Sequence, residues 1–211
     1  MEPHPARAVE LFAKRNGEGL REVHRALAIA VPEAFSIFER RHPDGRIQGA
    51  VFAAAVRDVV LVEFEANKMR LHTLRAIEGA FRSVRLVDPS NWTCRVHLHP
   101  RDWMSKRYVP VTEPEVQTLW GADVTLAPFE LAVLWIPSVR TKALRDARLA
   151  AVANIEERTR TLVYAASPLP PIGSESRAWE PKVTDTYTPV VDDLSDFFAD
   201  LDEFSTRPDE A

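Results

Sequence analysis

The chain has 211 residues, 45% hydrophobic and 27% charged, with a formal net charge of −4. That is the size of one domain, or of one domain with an appendage, and its balance is that of an ordinary folded protein. A collagen-like repeat, a disulfide scaffold and a wholly disordered chain are excluded, the second because Cys94 is the single cysteine.

Residues 5–85 read as helix. The segment 6–15 is amphipathic and ends at Asn16-Gly17; Leu20, Val23, Leu27 and Val31 then recur at spacings of three and four. Pro32 suits the first turn of a new helix, where a missing N–H is no loss, and Phe35 and Phe38 continue it. Pro43-Asp44-Gly45 marks a turn. Beyond it Val51, Ala54, Ala55, Phe64, Leu71, Leu74, Ile77 and Phe81 predict one or two long helices. The β-branched run Val59-Val60-Leu61-Val62 fits strand or helix equally by period.

Asp88-Pro89-Ser90-Asn91 opens a different texture. Over 93–99, Cys94, Val96 and Leu98 alternate with Arg95, His97 and His99, the period of a half-buried strand. Further strands are predicted over 108–112, 122–126, 129–136 and 160–165. The Ala-, Leu- and Arg-rich stretch 141–153 predicts a helix. The expected fold class is α+β: a helical N-terminal half packed on a mostly antiparallel sheet with one further helix. The expected organisation is a single globular domain over 1–166 (helical 5–85, mainly β 92–166). A Pro-rich linker over 167–191, an acidic amphipathic helix over 192–205 and a disordered end over 206–211 follow.

The C-terminal part is the most distinctive. Residues 175–211 hold eleven acidic side chains against three basic ones, a net of −8, which leaves the rest of the chain at +4. Within it Leu194, Phe197, Phe198, Leu201 and Phe204 fall on one helical stripe behind Asp192 and Asp193, which suit a helix N-terminus. So short a helix is marginal alone, so these five residues are the predicted partner-binding set, docking on another protein or a second copy. The primary expectation is a non-catalytic accessory or regulatory protein of a larger bacterial assembly.

The basic middle supplies the alternative. Arg70, Arg75, Arg82, Arg85, Arg95, Arg101 and Arg107, with Trp92 and Trp103 interleaved, have the composition of a nucleic-acid surface, with the acidic tail as its auto-inhibitor. A second alternative is a metal-dependent hydrolase: His97 and His99 would share a strand face, with His72 or Asp102 as a further ligand. A nuclease-like carboxylate pair of Asp123 and Glu130 lacks its lysine, since Ala132 stands at that position. No catalytic residue and no cofactor are expected. Gly-x-Ser-x-Gly is absent, and seven glycines give neither a phosphate loop nor a dinucleotide fingerprint. Cys94 and Trp135 are assigned to the core.

One cysteine fits a reducing, cytoplasmic compartment. The opening residues carry no leader pattern, and the longest apolar runs, 26–32 and 50–56, fall short of the ~20 residues that span a bilayer, so no membrane partner is expected. The excess of Arg over Lys is typical of GC-rich bacterial coding.

Overall fold

A computed structural model of the chain describes residues 4–41, 49–79, 83–96, 109–110, 129–153, 162–173 and 179–184. The first element, α1 (Pro5–Arg41), buries Val9, Phe12, Leu20, Val23, Leu27, Val31, Phe35 and Phe38 along one continuous face. The break expected at Asn16-Gly17 is a kink inside this helix, where Asn16 takes φ −118° and ψ 21°. Its buried amide fills the kink. Nδ2 donates to the Phe12 carbonyl at 3.0 Å, and Oδ1 accepts from Thr73 Oγ1 at 2.8 Å. Pro32 does not start a new helix but lies within α1, exposed, because Val31, Ala34 and Phe35 beside it are held in the core.

Helix α2 (Gly49–Ala66) settles the ambiguous run as helix: Phe52, Val56, Val60 and Phe64 are buried at spacings of four. It packs on α1, with the Phe52 ring 4.6 Å from Phe35 and 5.9 Å from Phe38 between centroids. Two backbone bonds close it, Met69 N to Phe64 O and Lys68 N to Glu65 O, both 2.8 Å. That is a Schellman end with Lys68 in the left-handed position at φ 52° and Met69 packed back on the core.

Helix therefore stops at Ala66, well before residue 85. In its place stand β1 (Arg70–Leu71), β2 (Leu74–Glu78) and β3 (Val84–Val87). Leu71, Leu74 and Ile77 fit helical spacing, but Leu74 and Ala76 point inward while Arg75 and Ile77 point out, which is period two. The remaining strands are β4 (Thr93–Val96), β5 (Val109–Pro110), β6 (Phe129–Ser138), β7 (Ala143–Ala153) and β8 (Leu162–Pro168). Their order across one sheet is β1-β2-β3-β4-β6-β7-β8-β5, antiparallel except for the β4–β6 and β5–β8 pairs. The strand expected over 122–126 lies outside the described residues.

The further helix expected over 141–153 is β7. Helix propensity is a weak prior, and here it is overridden from both sides. β7 pairs with β6 over ten positions and with β8 over six. Ala147, Leu149 and Ala151 face α1, and the small alanines let that helix lie close against the strand. Gly19 serves the same end, since a Cβ there would stand 2.6 Å from the Leu71 carbonyl oxygen. On the opposite face of β6–β8 a second, smaller buried cluster gathers Ala132, Leu134, Ala150, Val152, Val163 and Ala166.

The expected linker is irregular but fastened along its described parts. Ser167 and Pro168 complete β8, and Leu169 N donates to Ala147 O at 2.9 Å. Trp179 lies against Gly17, and Thr184 exchanges two backbone bonds with Ala166 at the outer edge of β8. Among the described residues no helix is long and apolar enough to cross a membrane.

Candidate anion-binding face

Strand alternation in β1–β4 separates two rows. Leu71, Leu74, Ala76, Val84, Leu86, Cys94 and Val96 are buried under α1. Arg70, Arg75, Ile77, Arg85, Val87, Thr93 and Arg95 take the outer face. Register decides which of these meet. Arg70 stands opposite Arg75, Arg75 opposite Val87, Ile77 opposite Arg85, and Arg85 opposite Arg95. Directly opposed side chains start about 5 Å apart at Cβ, and diagonal neighbours about 7–8 Å. The four arginines thus form a connected path across four strands, roughly 14 Å wide. Ile77 and Val87 sit among them as apolar side chains.

This face twice sets like charges opposite each other, Arg70 with Arg75 and Arg85 with Arg95, an arrangement that opposes sheet formation. Arg95 has a counter-ion in Glu130 of β6 at 3.4 Å. Arg70, Arg75 and Arg85 have none among the described residues. The face therefore carries uncompensated positive charge over an apolar centre, the chemistry that receives carboxylates or phosphates.

The other concavity behaves differently. A cleft of about 640 Å³ opens at the α1 kink between Arg15, Arg21, His72, Thr73 and the Trp179–Pro181 stretch. Three of its basic groups have carboxylates nearby. Lys14 holds Glu10 at 2.6 Å, Arg21 pairs with Glu18, and His72 Nε2 lies 3.8 Å from Glu22. Lys14 and Arg7 together hold the Glu10 carboxyl below its usual range. The Arg15 guanidinium stacks over Trp92 at 5.7 Å. Among the described residues Arg15 has no carboxylate partner and is engaged on the Trp92 ring, whereas the outer face groups three arginines without counter-ions, so the arginine face is the stronger candidate.

Of the residues singled out by sequence, the structure brings together Arg70, Arg75, Arg85 and Arg95. They meet by strand register. Trp92 is not on this face; it packs on the core beneath Arg15. Arg82, Arg101, Trp103 and Arg107 lie outside the described residues, as do His97, His99 and the tail residues Leu194, Phe197, Phe198, Leu201 and Phe204. His72 sits exposed in the β1–β2 turn at φ 54°. Among the described residues no three His, Cys, Asp or Glu side chains gather to hold a metal. Cys94 is fully buried, and burial pushes its thiol far up from its ordinary value. Trp135 is buried in β6. Glu130, whose role sequence reading missed, is legible only once β4 and β6 are paired in parallel, because 35 residues separate it from Arg95.

No protein-family model matches this chain, and no curated protein and no solved structure matches it.

Proposed function

We propose that the protein is a non-catalytic accessory or regulatory factor that works by binding, and that its body receives an acidic, partly apolar protein segment on the outer face of β1–β4. The observation that carries this reading is the mixture on that face: Arg70, Arg75 and Arg85, without counter-ions among the described residues, set around Ile77 and Val87. Carboxylates answer the guanidiniums, and apolar side chains cover the centre.

The test uses a full-length variant whose tail carboxylates are neutralised (Asp192, Asp193, Asp196, Asp200 and Asp202 to Asn, Glu203 to Gln), so that the tail leaves the face accessible. A fluorescein-labelled peptide of residues 190–206 is titrated at 50 mM salt, beside a scrambled peptide of equal charge with its apolar residues dispersed. Binding that weakens at least fivefold on scrambling, and is lost with Arg75→Glu and Arg85→Glu, supports the reading. Equal binding of both peptides, or no binding, refutes it.

A second reading has its own support in the three arginines that lack counter-ions among the described residues: phosphates of nucleic acid on the same face. Three phosphate contacts to a single strand give a salt slope of about −2, or roughly a 20-fold loss of affinity between 50 and 200 mM salt. A labelled 20-nucleotide strand titrated in parallel checks it, and a slope unchanged by Arg75→Gln with Arg85→Gln refutes it.

A further inference from the structure

Resting on that reading of the face, we propose that its occupant in the free protein is the chain's own acidic segment, 192–204, docked in cis and displaced when a partner binds. Two observations support this choice. The first is complementarity. The segment carries Asp192, Asp193, Asp196, Asp200 and Glu203 beside an apolar stripe led by Phe197, which matches a face of arginines around Ile77 and Val87.

The second is the length of chain between the last described residue, Thr184, and the acidic segment. Thr184 is bonded to Ala166 at the outer edge of β8, in the sheet that also carries the arginines. From that edge, strand spacings of about 4.8 Å place β4 roughly 19 Å away and β2 roughly 29 Å. Extended chain covers about 3.3 Å per residue, so Asp192 reaches β4 and Asp196 reaches β2. A segment tethered within such a span is presented at an effective concentration in the millimolar range. Even a weak docking contact is then occupied, and an incoming acidic partner competes against it.

The experiment has two arms on the full chain. In the first, the labelled 190–206 peptide is titrated into wild-type protein and into the carboxylate-neutralised variant. Cis docking predicts binding to wild type about tenfold weaker at 50 mM salt, with the difference gone at 500 mM, where charges are screened beyond about 4 Å. In the second, Ser205→Cys carries a spin label; Cys94 is buried and does not compete for the reagent. The amide signals of Arg75, Ile77 and Arg85 should broaden at low salt and recover at 500 mM or on Arg75→Glu with Arg85→Glu.

Equal peptide affinity for the two proteins, with no broadening, overturns the cis occupant while leaving the face as a receptor. Broadening found only in mixtures of labelled and isotope-enriched protein places the segment on a second copy, and this too overturns the inference. Failure of the neutralised variant to bind the peptide at all defeats the reading of the face itself, a different result from either.

Discussion

In the carboxylate-neutralised variant, whose tail leaves the face open, replacing Arg85 by Gln should make the protein slightly more stable. Arg85 stands directly opposite Arg95 and diagonal to Arg75, with no counter-ion among the described residues. Flexible stems let the opposed guanidiniums spread to about 7 Å. Two unit charges at that distance repel by about 0.6 kcal/mol in bulk water. Screening leaves about 0.5 kcal/mol at 10 mM salt and about 0.2 kcal/mol at 0.15 M. Gln keeps the aliphatic stem over Ile77, so the substitution isolates charge from packing. For a chain of this size the gain at 10 mM corresponds to a rise in Tm of about 1–2 °C, shrinking towards zero in 1 M salt. Glu130→Gln, which removes the counter-ion of Arg95, should shift Tm the other way with the same salt dependence. Calorimetry on both variants at three salt concentrations measures this. A fall in Tm for Arg85→Gln, or a shift that salt leaves untouched, refutes the claim that this face stores repulsion.

Three other outcomes follow from local structure. Lys68→Gly relieves a left-handed residue at the end of α2 and should stabilise by about 0.5–1 kcal/mol, read as a higher denaturation midpoint. Asp88→Ala should destabilise by about 1–3 kcal/mol in urea unfolding, because one buried carboxylate oxygen accepts from both Ser90 N (2.8 Å) and Trp92 N (2.9 Å) to close the β3–β4 turn. Cys94 should stay unreactive to thiol reagents at pH 8 until the protein unfolds. Its raised native pKa means that stability is fully present below the ordinary thiol value of 9.0 and declines above it, as the unfolded thiol ionises and the buried one does not.

The helical start, the sheet that follows and the assignment of Cys94 and Trp135 to the core were legible because burial imposes a period. The edges of these elements were not. α2 ends on Lys68 and Met69, without the glycine or proline that marks most helix ends, so the inward positions Leu71 and Leu74 merged with the helical pattern. The stretch of β7 misled for a different reason: its alanines have high helix propensity, yet they are small because α1 packs against them. Arg70, Arg75, Arg85 and Arg95 were singled out as a basic cluster from composition. Their sharing of one face depends on antiparallel register across three turns, which no spacing in the chain displays. Trp92 was misjudged because an exposed stacking platform and a half-buried indole under Arg15 leave the same sequence signature.

The two charged regions of the body also argue against each other as sites. Around the α1 kink, Lys14, Arg21 and His72 each have a carboxylate within reach, and Arg15 is engaged on the Trp92 ring. An arginine stem can shield apolar surface, and that would account for Arg75 over Val87 or Arg85 over Ile77 taken singly. It does not account for two opposed pairs, because glutamine would shield as well and a glutamate on one strand of each pair would turn repulsion into attraction. On the reading proposed above, the gain given up twice within four strands is recovered when carboxylates of an acidic segment settle among the arginines.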